Sequence, residues 1–232
     1  MQQLDQLSNG RFYHIYNRGI NGCDLFSDPA SYQHFLELYE KYICPIADTF
    51  AWVMMKNHFH ALVRIKEGVV YIYSITDRSN DTDNFEDKKW ETTELSNAPD
   101  GGSDSVNGCD DIKKPKPHLH FSHLFSAYSR YFNKRISRHG ALFERKFKRK
   151  LIDDESYLKN VVLYLHNNPV HHGFCEHPME YPWSSYLTCI SVKPTKLQRK
   201  QVIGWFDDTA NFKQMHNGSI DIDGIEKWLD LE

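Results

Sequence analysis

The stretch TFAWVMMKNHFHALVRI, Thr49 to Ile65, decides the reading of this chain. Thr49 to Met55 and His58 to Ile65 are apolar runs rich in strand formers, separated by the polar pair Lys56 and Asn57. Two such runs around a two-residue link suggest a hairpin in the middle of an antiparallel sheet. His58-Phe59-His60 opens the second run. The period of two along a strand sends both imidazoles to one face and Phe59 to the other, so two candidate metal ligands are aligned by the backbone itself. A lone His-x-His is a weak pattern, and the run supplies no third ligand. The pair gains weight from its setting between buried runs, where histidines need a reason to be kept.

Upstream, Arg11 to Arg18 (RFYHIYNR) alternates aromatic or apolar residues with polar ones and reads as a first strand ending at Gly19. Asp28 and Pro29 then have the form of a helix start, a capping aspartate before proline in the first turn. Ser31 to Ile43 places Tyr32, Phe35, Leu36, Leu38, Tyr39 and Tyr42 mostly at helical spacings, which predicts an amphipathic helix stopped by Pro45.

Downstream, Thr76 to Ile112 holds eleven Asp/Glu against three Lys/Arg, a net of −8, with few buriable residues. That composition predicts a flexible acidic insertion. Structure is expected to resume after Pro117, with a helix over His123 to Arg138 whose apolar stripe is Leu124, Phe125, Tyr128, Tyr131, Phe132 and Ile136. Asp153-Asp154-Glu155 places negative charge at the start of another helix, through Tyr157, Leu158, Val161, Val162 and Leu165, which Pro169 is expected to stop. The divisions are therefore 1–75 and 113–190 as two parts of one domain, 76–112 as the insertion, and 191–232 as a C-terminal extension.

With 232 residues, 40% hydrophobic and 14% aromatic, the chain can bury a core and is no disordered tail. No apolar run reaches membrane-spanning length and Met1 to Gly10 lack a signal pattern, so the expectation is a soluble, cytoplasmic protein with no membrane partner. Cys23, Cys44, Cys109, Cys175 and Cys189 are odd in number, scattered and never paired as Cys-x-x-Cys, which argues against a disulfide framework and a thiolate zinc site. The net charge of −3 conceals segregation. Lys113 to Lys150 carries twelve Lys/Arg against Glu144 alone, a net of +11, interleaved with seven Phe and Tyr. Basic runs are commonly solvated helix faces, but this density without compensating acid points to nucleic acid.

Tyr164 and Asn168 lie four apart and share one face of a helical turn. If that face covers the strand bearing His58 and His60, Asn168 can complete a three-ligand metal site and Tyr164 can face a phosphate held there. Each also has an ordinary reading, Tyr164 as a packed aromatic and Asn168 as a residue before proline. Spacing does not choose between them.

Five stretches resemble one family in the same order: YHIYNRG (Tyr13 to Gly19), MMKNHFHALV (Met54 to Val63), GALFERKFK (Gly140 to Lys148), YLHNNPVHHG (Tyr164 to Gly173) and YPWSSY (Tyr181 to Tyr186). They are similar to the IS200-like transposases, in particular the REP-associated tyrosine transposase branch of the HUH superfamily. The resemblance covers Arg11 to about Tyr186 apart from the insertion. It implies an α+β fold, a ferredoxin-like or RRM-like antiparallel sheet with helices packed on one face, besides the flexible insertion and a helical C-terminal extension. It also implies action on single-stranded or hairpin DNA, as a monomer or homodimer.

Under the resemblance His58 and His60 match the histidine pair, Tyr164 the catalytic tyrosine and Asn168 the polar metal contact, with Mg²⁺ or Mn²⁺ as cofactor. Arg18, Lys134, Arg135, Arg138, Arg145, Lys146, Lys148 and Arg149 are the candidate DNA contacts. The family usually has proline where Lys56 stands, a hydrophobic residue where Asn167 stands, and a much shorter connection than the insertion. Attack by Tyr164 would leave a 5′-phosphotyrosine and a free 3′-hydroxyl, and attack by another 3′-hydroxyl would reverse the step.

Other groups compete for these roles. His118-Leu119-His120 is a second His-x-His, expected before a helix as solvated or phosphate-contacting histidines, as are His171 and His172. Tyr128 and Tyr131 fit core packing or base stacking better than catalysis, and Trp183 fits a packing anchor. Two other function classes stand beside the enzyme: a catalytically inactive, domesticated RRM-like nucleic-acid-binding protein, and a zinc hydrolase, for which the strand lacks the acid of a His-x-His-x-Asp site.

Overall fold

The structure, a computed structural model, describes residues 6–73, 89–92, 111–218, 220–229 and 231. In chain order the main elements are β1 (Phe12–Arg18), α1 (Pro29–Tyr42), β2 (Ala47–Met55), β3 (His58–Ile65), β4 (Val69–Tyr73), β5 (Lys89–Thr92) and β6 (Asp111–Lys113). These are followed by α2 (Pro117–Arg135), β7 (Lys148–Ile152), α3 (Glu155–His171), α4 (Tyr186–Ile190), α5 (Arg199–Trp205), α6 (Thr209–His216) and α7 (Ile222–Trp228). Four strands form an antiparallel sheet in the order β2-β3-β1-β7. With α1 and α2 as the connections, this is the ferredoxin-like βαββαβ arrangement.

The hairpin at Lys56 and Asn57 forms as expected, pairing Met55 with His58 and Met54 with Phe59. β1 occupies the centre beside β3, with Tyr16 opposite His60 and Arg18 opposite His58. Gly19 ends that strand for a steric reason: a Cβ there would stand 2.0 Å from the Cys23 carbonyl oxygen. α1 begins at the expected cap, where Asp28 accepts from Ser31 N and the Ser31 hydroxyl reaches back to the Asp28 amide.

Alternation along the strands divides the interior in two. Tyr13 and Ile15 of β1 and Phe59, Ala61 and Val63 of β3 face α1 and α2, where Phe35, Phe121, Leu124 and Tyr128 complete an aromatic core. The two helices of the βαββαβ unit thus share one face. The other face is covered by α3, whose Leu158, Val161, Val162 and Leu165 pack on Phe50, Ala51, Val53 and Leu62, and the C-terminal helices close over α3 from outside. A helix buried on nearly its whole circumference suits this middle position, and α3 is buried continuously from Val161 to Pro169.

Several boundaries differ from expectation. Pro169 lies inside α3 instead of stopping it; it forgoes the single amide bond to the Leu165 carbonyl, and the helix ends two residues later at His171. α2 starts at Pro117, six residues early, and so contains His118 and His120. His120 is buried and its Nδ1 meets the Tyr42 carbonyl oxygen at 2.9 Å, which removes it from the solvated role expected of it. β7 was not legible as a strand, since Lys148 to Lys150 is an unbroken basic run. β4, β5 and β6 form a second sheet in the order β5-β4-β6, so the acidic insertion carries one pairing strand in its interior, β5, and meets others at its borders. The flexibility expected of its remainder falls on residues 76–88 and 93–110, outside the described residues.

The YPWSSY stretch protects the outer edge of β2. Met54 N donates to the Trp183 carbonyl, Ser185 N donates to the Trp52 carbonyl, and the Tyr181 hydroxyl donates to the Met54 carbonyl. Covering an edge strand this way satisfies groups that would otherwise invite another chain. Trp183 stacks on Tyr32 at 4.4 Å, the packing role expected of it.

Candidate active site

β3 places His58 and His60 on the α3 side of the sheet, and α3 lays Tyr164 and Asn168 over them. The His58 and His60 rings are 5.0 Å apart and nearly perpendicular, and the Tyr164 ring lies 5.6 Å from that of His60. Asn168 Oδ1 approaches His58 Nε2 at 3.2 Å. The four residues singled out from spacing and resemblance therefore occupy one place, although about a hundred residues separate strand from helix.

The nitrogens of His58 are distinguishable. Its Nδ1 lies 2.7 Å from Asn57 Oδ1, an amide oxygen that can only accept, so Nδ1 donates. A neutral ring then keeps a lone pair on Nε2, the atom facing Asn168 Oδ1. Burial holds the ring neutral, lowering its pKa to about 4, with the charges of His172 and Arg18 adding to the effect. His60 is 1% exposed, and burial, aided by His58 and His14, pushes its pKa well below the usual imidazole value. Two acceptors, His58 Nε2 and Asn168 Oδ1, thus face one another, while Asn168 Nδ2 is buried with no hydrogen-bond partner among the described residues.

Tyr164 is 1% exposed and its hydroxyl donates to Glu226 Oε1 of α7 at 3.0 Å. Burial raises the phenol pKa, and the Glu226 charge raises it further. α7 is anchored beside this contact by Trp228, which stacks on Tyr157 at 4.2 Å.

Glu226 and His14 were missed by sequence reasoning. His14 Nε2 lies 2.9 Å from His60 Nδ1; only the alternation of β1, coupled to its pairing with β3, could have found it. Glu226 lies 62 residues beyond Tyr164 and carries no local signal. His172 was expected at phosphate or solvent, and its ring lies 5.6 Å from that of His58.

The rival tyrosines pack as expected: Tyr128 is buried with its hydroxyl donating to the Leu25 carbonyl, and Tyr131 lies against His34. A second cluster beneath α3 joins His166 Nε2 to Ser185 Oγ at 2.7 Å and His166 Nδ1 to His216 Nε2 at 2.9 Å. All three are buried, so the cluster clamps α6 to α3.

The candidate DNA contacts are dispersed. Arg18 and Lys148 lie on the histidine face, Arg18 paired with Glu144 at 2.6 Å and Lys148 over the Tyr16 ring at 5.9 Å. Arg145 and Lys146 are exposed just before β7, and Arg149 stands on that strand over the Phe147 ring. Lys134, Arg135 and Arg138 are grouped instead around the end of α2. There Arg135 pairs with Asp28 at 2.7 Å and Arg138 donates to the Ala141 carbonyl.

Among the described residues no three His, Cys, Asp or Glu gather as a metal site, and the set above counts an amide as its third donor. None of their helices is long and apolar enough to cross a membrane. No family model matches the chain, and no curated protein matches its sequence. A solved structure does: a REP-associated tyrosine transposase bound to a REP hairpin, at 15% identity and a TM-score of 0.51, covering 84% of this chain and 88% of that one. At that identity the likeness establishes a shared α+β fold.

Proposed function

We propose that this chain is a metal-dependent single-stranded DNA endonuclease and strand transferase, acting on hairpin-associated DNA through a 5′-phosphotyrosine at Tyr164. The observation that carries the reading is the convergence of Tyr164 and Asn168 with His58 and His60 on one sheet face. The fold shared with a transposase bound to hairpin DNA supports the substrate class.

The donors fit a divalent ion: the His58 Nε2 lone pair faces the Asn168 amide oxygen, two acceptors that a cation between them would reconcile. Bound by His58, His60 and Asn168, Mg²⁺ or Mn²⁺ would polarise the scissile phosphate and offset charge developing on it and on the leaving oxygen. Imidazole suits Mn²⁺ better than Mg²⁺.

Tyr164 supplies the nucleophile. Its oxygen forms a bond to phosphorus as the bond to the 3′-oxygen breaks; the phenol proton passes to solvent, and the departing 3′-oxygen takes a proton from solvent to leave as a hydroxyl. The phosphodiester energy is kept in the phosphotyrosine, so a second 3′-hydroxyl can reverse the step and join strands. Since Tyr164 is nearly fully buried and its hydroxyl is held by Glu226, α7 must withdraw before DNA can reach it. Lys148 and Arg18 share the sheet face of the histidines and would meet the DNA backbone there.

The test incubates protein, Mg²⁺ or Mn²⁺ and labelled single-stranded hairpin DNA, then denatures and looks for a covalent adduct. Tyr164→Phe abolishes it, while Tyr128→Phe and Tyr131→Phe retain it; an adduct that survives Tyr164→Phe overturns the assignment. The alternative, a nucleic-acid-binding protein without chemistry, draws on the protonated, sequestered state of Tyr164. It predicts DNA binding indifferent both to metal and to Tyr164→Phe.

A further inference from the structure

His60 can serve a metal only through a nitrogen that carries no proton, and a neutral imidazole has one such nitrogen. Its Nδ1 is already engaged, 2.9 Å from His14 Nε2. Both residues are 1% exposed, and the rings lie nearly parallel, 26° between planes and 5.1 Å between centres. Out of water, two rings this close are held as neutral imidazoles, since a charge on either would be buried and unpaired. Two neutral rings in contact share one proton, so one donates and the other accepts.

We propose that His14 is a positioning residue: it accepts from His60 Nδ1–H and so fixes the His60 ring with its Nε2 lone pair committed to the ion. This rests on the metal-dependent reading of the site and extends it to β1.

The direction of the bond follows from His58. Asn57 Oδ1 forces the proton of His58 onto Nδ1 and frees its Nε2. Acceptance by His14 does the same for His60, and the two ligands then present equivalent nitrogens from neighbouring positions on one face. Were His14 to donate instead, the His60 proton would sit on Nε2 and the ion would lose a ligand. Tyr16, 4.6 Å from the His60 ring, and Tyr164, 5.6 Å from it, restrict the ring on other sides. Outer partners of this kind fix both tautomer and ring orientation, and removing one typically weakens metal binding about tenfold to a hundredfold.

Two measurements on the full chain test this. Titrating Mn²⁺ and following the free-ion signal by electron paramagnetic resonance should show His14→Leu binding about tenfold to a hundredfold more weakly than wild type. His14→Gln, whose amide oxygen can still accept from Nδ1, should recover most of the loss. Nitrogen-15 spectra of the metal-free protein should show the His60 proton on Nδ1 in wild type and shifted toward Nε2 in His14→Leu. Unchanged Mn²⁺ affinity in His14→Leu overturns the proposal, as does a wild-type His60 protonated on Nε2. The wild-type spectrum decides even if His14→Leu fails to fold. Wild-type protein that binds no Mn²⁺ overturns the metal reading itself, and the His60 tautomer in that same sample still judges the hydrogen bond.

Discussion

On the α1/α2 side of the sheet, Tyr13, Ile15, Phe59, Ala61 and Val63 meet aromatic and aliphatic side chains. On the α3 side, the intervening residues His14, Tyr16, His58 and His60 of the same strands meet Tyr164 and Asn168. The first side is held by packing, which needs only volume and apolar surface. The second, besides the apolar packing of α3 on Phe50, Val53 and Leu62, withdraws imidazoles and the Asn168 amide from water, which costs stability wherever a polar group is left unpaired. Both faces are therefore packed, but under the proposed function only the α3 face carries the chemistry, so perturbing the α1/α2 face should leave metal binding largely intact.

Acid should break the comparison most strongly. His14 is lowered to about 3 and His58 and His216 to about 4, in each case by burial, and all three lie on the α3 side. Such a histidine is neutral in the fold and takes up a proton on unfolding below about pH 6.5. The unfolded chain then binds more protons, so stability is complete above that pH and declines as pH falls toward 4 and 3. Between pH 6.5 and 5 each group contributes a loss on the order of 2 kcal/mol. Urea unfolding should give a constant midpoint above pH 7 and a steep fall below 6.5. A midpoint that stays level to pH 4.5 would show that these histidines are not held neutral.

Neighbouring substitutions on β3 come next. Phe59→Ala removes a ring packed against Phe35 at 5.1 Å and should cost about 3–5 kcal/mol in urea unfolding. It should leave Mn²⁺ affinity close to wild type wherever the variant is folded. His58→Ala should do the reverse, abolishing Mn²⁺ binding and adduct formation with a much smaller change in the unfolding midpoint. Equal effects of both variants on both measurements would contradict the division of labour between the faces.

Much of this arrangement was legible because it is local. The hairpin, the Asp28 cap and the histidine alternation follow from periods of two and 3.6 and from one capping motif. Tyr164 and Asn168 could be placed on one helical face from spacing, but that this face covers β3 depends on packing, which the five-stretch resemblance implied and spacing could not. β7 escaped notice because its basic run lacks the apolar alternation that marks a strand; its place is fixed by pairing with β1 at the sheet edge. Glu226 escaped for a different reason. Nothing near it in sequence distinguishes it from any surface carboxylate of a short helix, and its meaning comes wholly from α7 folding back over Tyr164.

That contact yields the smallest expected effect and the sharpest view of the chemical face. Glu226 accepts the Tyr164 hydroxyl hydrogen bond and raises the phenol pKa, and under the proposed function its negative charge would stand where a DNA phosphate comes. Both actions oppose attack, the first by disfavouring phenolate and the second by repelling the substrate. Glu226→Gln keeps the shape and a hydrogen-bonding oxygen but removes the charge. It should therefore increase the rate of adduct formation about tenfold, equivalent to about 1.4 kcal/mol of barrier. The urea midpoint should change little, because the Tyr157–Trp228 stack still anchors α7. A fall in adduct formation would mean instead that the carboxylate takes the phenol proton during attack, making Glu226 part of the catalytic apparatus.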